Sequence, residues 1–101
     1  MATILATCAN GAGSSLLMKM AVEEVVKELG MNVTKIHHCS LAEGKSTAKN
    51  FDIIFCSLNF KSMFDDAAKS GIPVIGLKNV MSTSEIKKNI IELGLDVKYK
   101  K

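Results

Sequence analysis

In this 101-residue sequence, the residues best suited to chemistry are a cysteine and the glycine-rich turn that follows it. From Ala6 to Lys19 the chain is ATCANGAGSSLLMK, so Cys8 precedes Gly11, Gly13 and two serines. Glycines let successive backbone amides turn toward one point, and a helix start adds free N–H groups and a positive dipole end. Such a turn would hold a phosphate-sized anion beside the Cys8 sulfur and favour its nucleophilic thiolate.

The predicted site therefore has Cys8 as its nucleophile and the adjoining residues as an anion cradle. The predicted phosphate-binding residues are Ala9, Asn10, Gly11, Ala12, Gly13, Ser14 and Ser15. The ordinary alternative is a strand-to-helix turn whose glycines serve only geometry, with Cys8 as a small buried hydrophobic residue. Because the cysteine, both glycines and both serines coincide at a predicted strand end, we favour the anion site.

Three known kinds of phosphate loop can be compared with this stretch. A Walker loop needs Gly-Lys-Ser/Thr, but the first lysine here is Lys19, and a dinucleotide loop needs a third glycine where Leu16 stands. A cysteine phosphatase loop has an arginine after five residues, and Ser14 occupies that position. The Asp-Pro acid of low-molecular-weight phosphatases is also missing, since Pro73, the single proline, follows Ile72. A phosphocysteine could form here, but the residues that would hydrolyse it are missing.

Short β-prone runs alternate with helical patterns along the chain. Strands are predicted at 3–7, 31–38, 52–56 and 73–77, and helices from Ser14 or Ser15 to Gly30, at 60–68, and from a Ser82–Glu85 capping box to Gly94, with one possible short helix between 40 and 50. This order predicts a single α/β domain over residues 1–101, an open four-stranded parallel sheet with helices on both faces, as in a Rossmann-like three-layer sandwich. The first strand should be central and the polar second strand an edge. Cys8 would then lie at the carboxyl edge of the sheet, where such folds bind ligands.

Composition and charge exclude several classes of protein. No apolar run approaches the roughly 18–20 residues of a membrane helix, and the first residues lack the basic region of a signal peptide, so we expect a soluble cytoplasmic protein. All 13 basic residues are lysines and aromatic residues make up only 5%, so no nucleic acid partner is expected. The three cysteines, Cys8, Cys39 and Cys56, cannot all pair and are expected to be free thiols.

The remaining residues with possible chemistry are predicted to serve structure. In His37-His38-Cys39, alternation along a strand leaves at most His37 and Cys39 on one face, and two ligands do not make a zinc site, so no metal is predicted. Cys39 and Cys56 are expected to be structural. Lys78 and Asn79 follow the fourth strand and could rim the site. The residues Leu16, Leu17, Met18 and Met20 are expected to lie mostly in the core, with any exposed member suited to partner docking.

The segment ILATCANGAGSSLLMKM resembles the phosphorylation loop of the IIB components of the bacterial sugar phosphotransferase system, in the lactose, galactitol and ascorbate branches that use cysteine. The ascorbate branch is the most similar, and the later segments FDIIFCS and VIGLKNVMS extend the resemblance over most of the chain. Ala9 replaces an expected glycine, and Ala12 replaces a longer polar residue.

This resemblance implies a transferase that works through a phosphocysteine and needs no cofactor. Cys8 would accept a phosphoryl group from a phosphohistidine on a IIA partner. It would then pass the group to a sugar, ascorbate or a related sugar or polyol, bound by a membrane IIC partner. A hydrolytic cysteine phosphatase and an anion-binding regulatory module that is never phosphorylated are the alternatives.

Overall fold

The computed structural model describes residues 2–8 and 12–100, in which four strands alternate with helices. The strands are β1 (Ala2–Cys8), β2 (Val33–Ser40), β3 (Ile53–Ser57) and β4 (Val74–Leu77). The α-helices are α1 (Ala12–Glu28), α2 (Leu41–Thr47), α3 (Asp65–Lys69), α4 (Thr83–Glu92) and α5 (Leu95–Lys98), and 3-10 helices cover Ala48–Asn50 and Leu58–Phe64. Among the described residues, no helix has the length and apolar character needed to cross a bilayer.

All four strands run parallel, in the order β2-β1-β3-β4. This confirms the predicted parallel sheet, the central position of β1 and the edge position of β2. In the register, Ala6 lies opposite His38 and Cys8 lies opposite Ser40. Strand order reverses at β1, because β2 adds to one side of it and β3 to the other. The carboxyl end of β1 is therefore the place where this architecture opens a ligand crevice.

The sheet is covered on both faces, which confirms the predicted three layers. On one face, α1, α4 and α5 bury alternate residues of β1, among them Ile4, Ala6 and Cys8. On the other face, α2, α3 and the 3-10 segments enclose a second core around Leu5 and Ile54. Consecutive residues of a strand point to opposite faces, so each strand contributes to both cores.

The turn between β4 and α4 is held by one carboxylate. Ser82 caps α4 as predicted, with its Oγ accepting a hydrogen bond from the Glu85 amide at 3.2 Å. The Glu85 side chain accepts two further bonds, from the amides of Lys78 at 2.8 Å and Asn79 at 3.0 Å. Gly94 then ends the helical segment with a φ of 69°, which favours glycine.

Several segments differ from the sequence prediction. The second strand was predicted at 31–38 and spans Val33–Ser40, a shift of two residues. The helix predicted at 60–68 is a 3-10 helix over Leu58–Phe64 followed by the short α3. This segment lies so close to β4 that a Cβ added to Gly76 would be 3.0 Å from the Leu58 Cα, and this tertiary packing overrides the helical pattern. The helix α5 was not predicted, and it forms because Leu95 is buried in the first core.

Replacing Glu85 by glutamine should destabilise the protein. The neutral amide has one acceptor oxygen and no charge, so it cannot hold both backbone amides as the carboxylate does. We expect Glu85→Gln to lower the free energy of unfolding by about 1–2 kcal/mol in urea denaturation. The matched control is Glu92→Gln, an exposed site on the same helix, which should change it by less than about 0.5 kcal/mol. Equal effects of the two changes would contradict the role given to Glu85.

Candidate functional site

Cys8 is the last residue of the central strand and lies at the carboxyl edge of the sheet. Its side chain is 6% exposed and packs in the core formed with α1 and α4. Only three residues separate it from the start of α1 at Ala12. The amides of a first helical turn point out of the helix N-terminus, and α1 is long enough to have a substantial dipole.

The predicted cradle is described only in part. Ala9, Asn10 and Gly11 lie outside the described residues, so their part in anion binding stays a prediction. Ala12, Gly13 and Ser14 belong to the first turn of α1, which begins two residues earlier than the sequence indicated. Ser15 comes next and is fully buried.

A histidine that was not among the predicted site residues contacts this cradle. The Ser15 Oγ lies 3.3 Å from the Nδ1 of His38, and the direction of the hydrogen bond depends on the histidine tautomer. His38 lies opposite Ala6 in the register, on the same face as Cys8. The alternation of side chains along the strand had already placed His38 on a different face from His37 and Cys39. Its position near the carboxyl end of β2 could have identified it as a site residue.

Apolar side chains project from α1 immediately after the cradle. Leu16, Leu17 and Met20 are 42%, 46% and 57% exposed, whereas Met18 is fully buried. The expectation that most of these residues lie in the core is therefore wrong. A cluster of exposed apolar side chains beside a candidate site is typical of a surface that a partner covers.

The other two cysteines lie on the opposite face of the sheet from Cys8. Both are buried free thiols. Burial raises the pKa of Cys56 to about 12. Burial and the nearby Glu43 carboxylate raise the pKa of Cys39, and the Thr7 hydroxyl beside its sulfur partly offsets the rise.

The structure adds a third group to the pair expected from the strand pattern. A ring nitrogen of His37, the Cys39 sulfur and a carboxylate oxygen of Glu43 lie within 4.8 Å of one another. Of the three neighbouring residues 37–39, only His37 and Cys39 share a face, as predicted, and Glu43, which α2 brings to the strand, was not predicted. The His37 ring also stacks on Phe51, with 6.0 Å between centroids.

Lys78 and Asn79 form hydrogen bonds within the turn between β4 and α4, and no described contact joins them to Cys8. Their backbone amides are bound by Glu85, and the Asn79 Oδ1 accepts a bond from the Met81 amide at 3.0 Å. A cavity of about 370 Å³ borders Lys78 and does not include Cys8 among its described lining residues. A larger cavity, of about 510 Å³, lies between α1 and β2 and has Lys19 and Lys35 in its walls, also without Cys8.

Comparison with known proteins places this architecture among bacterial sugar-transport components. Residues 3–92 match the family model described as "PTS system, Lactose/Cellobiose specific IIB subunit", where PTS is the phosphotransferase system. The chain is 39% identical over 84 residues to an ascorbate-specific PTS system EIIB component of Mycoplasma pneumoniae, covering 83% of this chain and 85% of the relative. It is 30% identical over 90 residues to a protein of the same name from Salmonella choleraesuis, covering 89% and 86%.

The fold is also similar to a solved structure. The lactose-specific IIB component domain from Streptococcus pneumoniae superposes with a TM-score of 0.67 at 19% identity, covering 90% of this chain and 95% of that domain. At this identity the likeness concerns the fold. It agrees with the four-stranded parallel sheet and its two helical layers.

The raised pKa of Cys56 should make stability fall in alkaline solution. In the unfolded chain this thiol ionises near its ordinary pKa of 9.0, whereas in the folded protein it keeps its proton until about pH 12. Between these values the folded state binds more protons, so the free energy of unfolding should decrease by up to about 1.4 kcal/mol per pH unit. Urea denaturation from pH 8 to 11 measures this slope. The variant Cys56→Ala should be less stable at pH 8 but have a flatter slope, and an unchanged slope would contradict the assignment.

Proposed function

The chain belongs to the lactose/cellobiose-type IIB family of the sugar phosphotransferase system, and we propose that within this family Cys8 is the residue that carries the phosphoryl group. The family acts in phosphoryl transfer during sugar transport. The observation that carries the proposal is the position of Cys8 at the carboxyl end of the central strand, four positions before Ala12, the first residue of α1. This is the crevice position of an open parallel sheet, and a helix N-terminus that follows closely in sequence could supply amides to an anion there.

Two transfers would use this placement. In the first, the Cys8 thiolate attacks the phosphorus of a phosphohistidine, an S–P bond forms, and the N–P bond breaks with its electron pair returning to the imidazole. In the second, a sugar hydroxyl attacks the phosphocysteine, an O–P bond forms, the S–P bond breaks with its electron pair returning to the Cys8 thiolate, and the hydroxyl proton passes to a base of the partner or to water. Phosphoryl transfer depends chiefly on positioning and charge stabilisation, which backbone amides from residue 9 onward and the Ser15 hydroxyl would supply.

His38 would position one of these donors. It lies on the cradle side of the sheet and contacts the Ser15 Oγ at 3.3 Å. Ser15 is fully buried, so the surrounding packing restricts the orientation of its hydroxyl. A fixed donor stabilises developing charge at little cost in reorganisation.

A carrier is favoured over a phosphatase because two groups that assist hydrolysis are missing. Ser14 stands where the phosphatase loop has its arginine, and the sequence has no arginine at all. Pro73 follows isoleucine rather than aspartate, so the Asp-Pro acid is missing too. Without these groups water is a poor acceptor, whereas a protein partner or a bound sugar brings groups of its own.

The donor and acceptor are taken from the way the family works. IIB components generally act with IIA and IIC partners, so we propose a IIA phosphohistidine as donor and a sugar on a membrane IIC protein as acceptor. Ascorbate or a related sugar or polyol is the proposed substrate, since two relatives are ascorbate-specific EIIB components by name. The exposed apolar side chains Leu16, Leu17 and Met20 lie beside the cradle and would be covered on docking. We place the chain in the cytoplasm as one domain over residues 1–101.

Cys8→Ser should abolish phosphoryl acceptance and leave the fold intact, because serine is close to cysteine in size but lacks its nucleophilic thiolate. The experiment supplies phosphoenolpyruvate, the general phosphotransferase proteins and a cognate IIA, and then measures the intact mass of the chain. Cys56→Ser is the matched control and should still gain one phosphoryl group, since Cys56 lies on the other face of the sheet. Normal acceptance by Cys8→Ser would remove Cys8 as the acceptor, and failure of the wild-type chain to accept would favour the regulatory module.

The phosphorylated protein should survive at neutral pH long enough to isolate. Removing one donor from a preorganised site typically costs about 10²- to 10³-fold in rate, and this site lacks both the arginine and the acid of a phosphatase. The measurement tracks intact mass with time after the donor is removed, with and without the membrane partner and sugar. The added mass should persist alone and be lost when both are present. Rapid loss to water from the isolated protein would refute the carrier function and favour the phosphatase.

A further inference from the structure

Three side chains with different ligand chemistry converge on the sheet face opposite Cys8. His37 and Cys39 are alternate residues of the edge strand β2, and Glu43 lies in the first turn of α2. One imidazole nitrogen, one sulfur and one carboxylate oxygen lie within 4.8 Å of one another. We propose that His37, Cys39 and Glu43 bind a divalent cation of the zinc class.

The spacing of the three groups fits a tetrahedral site after a small movement. Zinc bonds of about 2.0–2.3 Å place neighbouring ligand atoms roughly 3.3–3.8 Å apart, so the cluster must contract by about 1 Å. Glu43 is exposed and His37 is only partly buried, so both side chains have room to move toward Cys39. Three protein ligands leave the fourth position to water.

A buried hydroxyl beside the sulfur is the second, independent observation. Thr7 is fully buried, no hydrogen bond of standard geometry reaches its Oγ1 within the described part of the chain, and the acceptor beside it is the Cys39 sulfur. Thr7 lies directly opposite Cys39 in the register, so the hydroxyl and the sulfur are neighbours on one face. A thiol sulfur is a weak acceptor, whereas a metal-bound thiolate would accept a strong hydrogen bond from this hydroxyl. Thr7 would then orient the thiolate from outside the coordination sphere.

The set of ligand atoms selects the kind of cation. A thiolate and an imidazole favour zinc and other late transition metals, whereas magnesium and calcium prefer oxygen ligands. The thiolate and the carboxylate together carry two negative charges, which a divalent cation neutralises. A cavity of about 310 Å³ borders His37, and its described lining residues do not include Cys39 or Glu43.

Each ligand also has an ordinary structural explanation, which the experiment must separate from metal binding. His37 stacks on Phe51, and Cys39 fills the second core. Glu43 occupies the third position of a capping box with Ser40, whose Oγ accepts from the Glu43 amide at 3.5 Å.

The test uses the reduced full chain without an affinity tag. Titration with Co²⁺ should produce a cobalt–thiolate charge-transfer band and tetrahedral d–d bands, and Zn²⁺ should remove both with a stoichiometry of one. Cys39→Ser and Glu43→Gln should each weaken binding by at least about 100-fold, and Thr7→Val by about 10-fold. Glutamine keeps the capping box, so Glu43→Gln remains informative if Cys39→Ser does not fold. The control His38→Gln should bind normally, because His38 points to the other face.

This inference is independent of the phosphocarrier function, and one variant separates the two. Cys8→Ser should bind Co²⁺ as the wild-type chain does while failing to accept phosphate. Loss of the cobalt bands in Cys8→Ser with retention in Cys39→Ser would overturn the proposed site. So would the absence of a saturable cobalt band in the wild-type chain, or equal affinity of the wild-type and Glu43→Gln chains. In those cases the three side chains serve only the ordinary structural roles.

Discussion

A strand that is paired along both edges and covered on both faces can meet solvent only at its ends. The central strand β1 is held in this way, since it pairs with β2 and β3, and Ile4, Leu5 and Ala6 are completely buried between two layers of helices. Cys8 is the first position at which such a strand can offer a reactive group. The chain then enters α1, whose amides begin where the strand stops. The burial that stabilises the domain therefore also fixes the location of the proposed phosphoryl carrier.

Strand alternation then divides neighbouring residues between two environments. Cys8 and His38 face α1, and the hydroxyl of Ser15 lies with them. Thr7 and Cys39, each adjacent in sequence to one of the first pair, face α2. A residue of the cradle side and a residue of the proposed metal site are thus direct neighbours on both strands. A conformational change on one face at this end of the sheet would therefore shift the shared backbone and alter the other face.

Local sequence predicted the parts of the fold that local energetics determine. The continuous apolar run of β3, the capping box at Ser82 and the glycine stop at Gly30 each require only neighbouring residues, and all were found. The short α5 and the 3-10 winding before α3 depend on burial of Leu95 and on the close approach of Leu58, which are set by distant segments.

The same distinction applies to the site. The position of Cys8 at a strand end could be predicted from pattern alone. The contact between Ser15 and His38 depends on the register of β1 against β2, and the position of Glu43 depends on how α2 folds back onto the sheet. The spacing of residues along the chain determines neither the strand register nor the placement of α2. These contacts therefore follow only from the tertiary structure.

The two ends of the described chain meet at one residue. The carbonyl of Asn32 accepts a bond from the Ala2 amide at 2.9 Å, its amide donates to the Tyr99 carbonyl, and Met31 pairs with Lys100 in an antiparallel bridge. This junction lies at the amino edge of the sheet, about 20 Å from Cys8 along seven residues of strand. A fused domain or tether attached at either end would therefore leave from the far pole of the molecule. Joining the two ends and opening the chain elsewhere, as in a circular permutant, would leave the end of the sheet that carries Cys8 unobstructed.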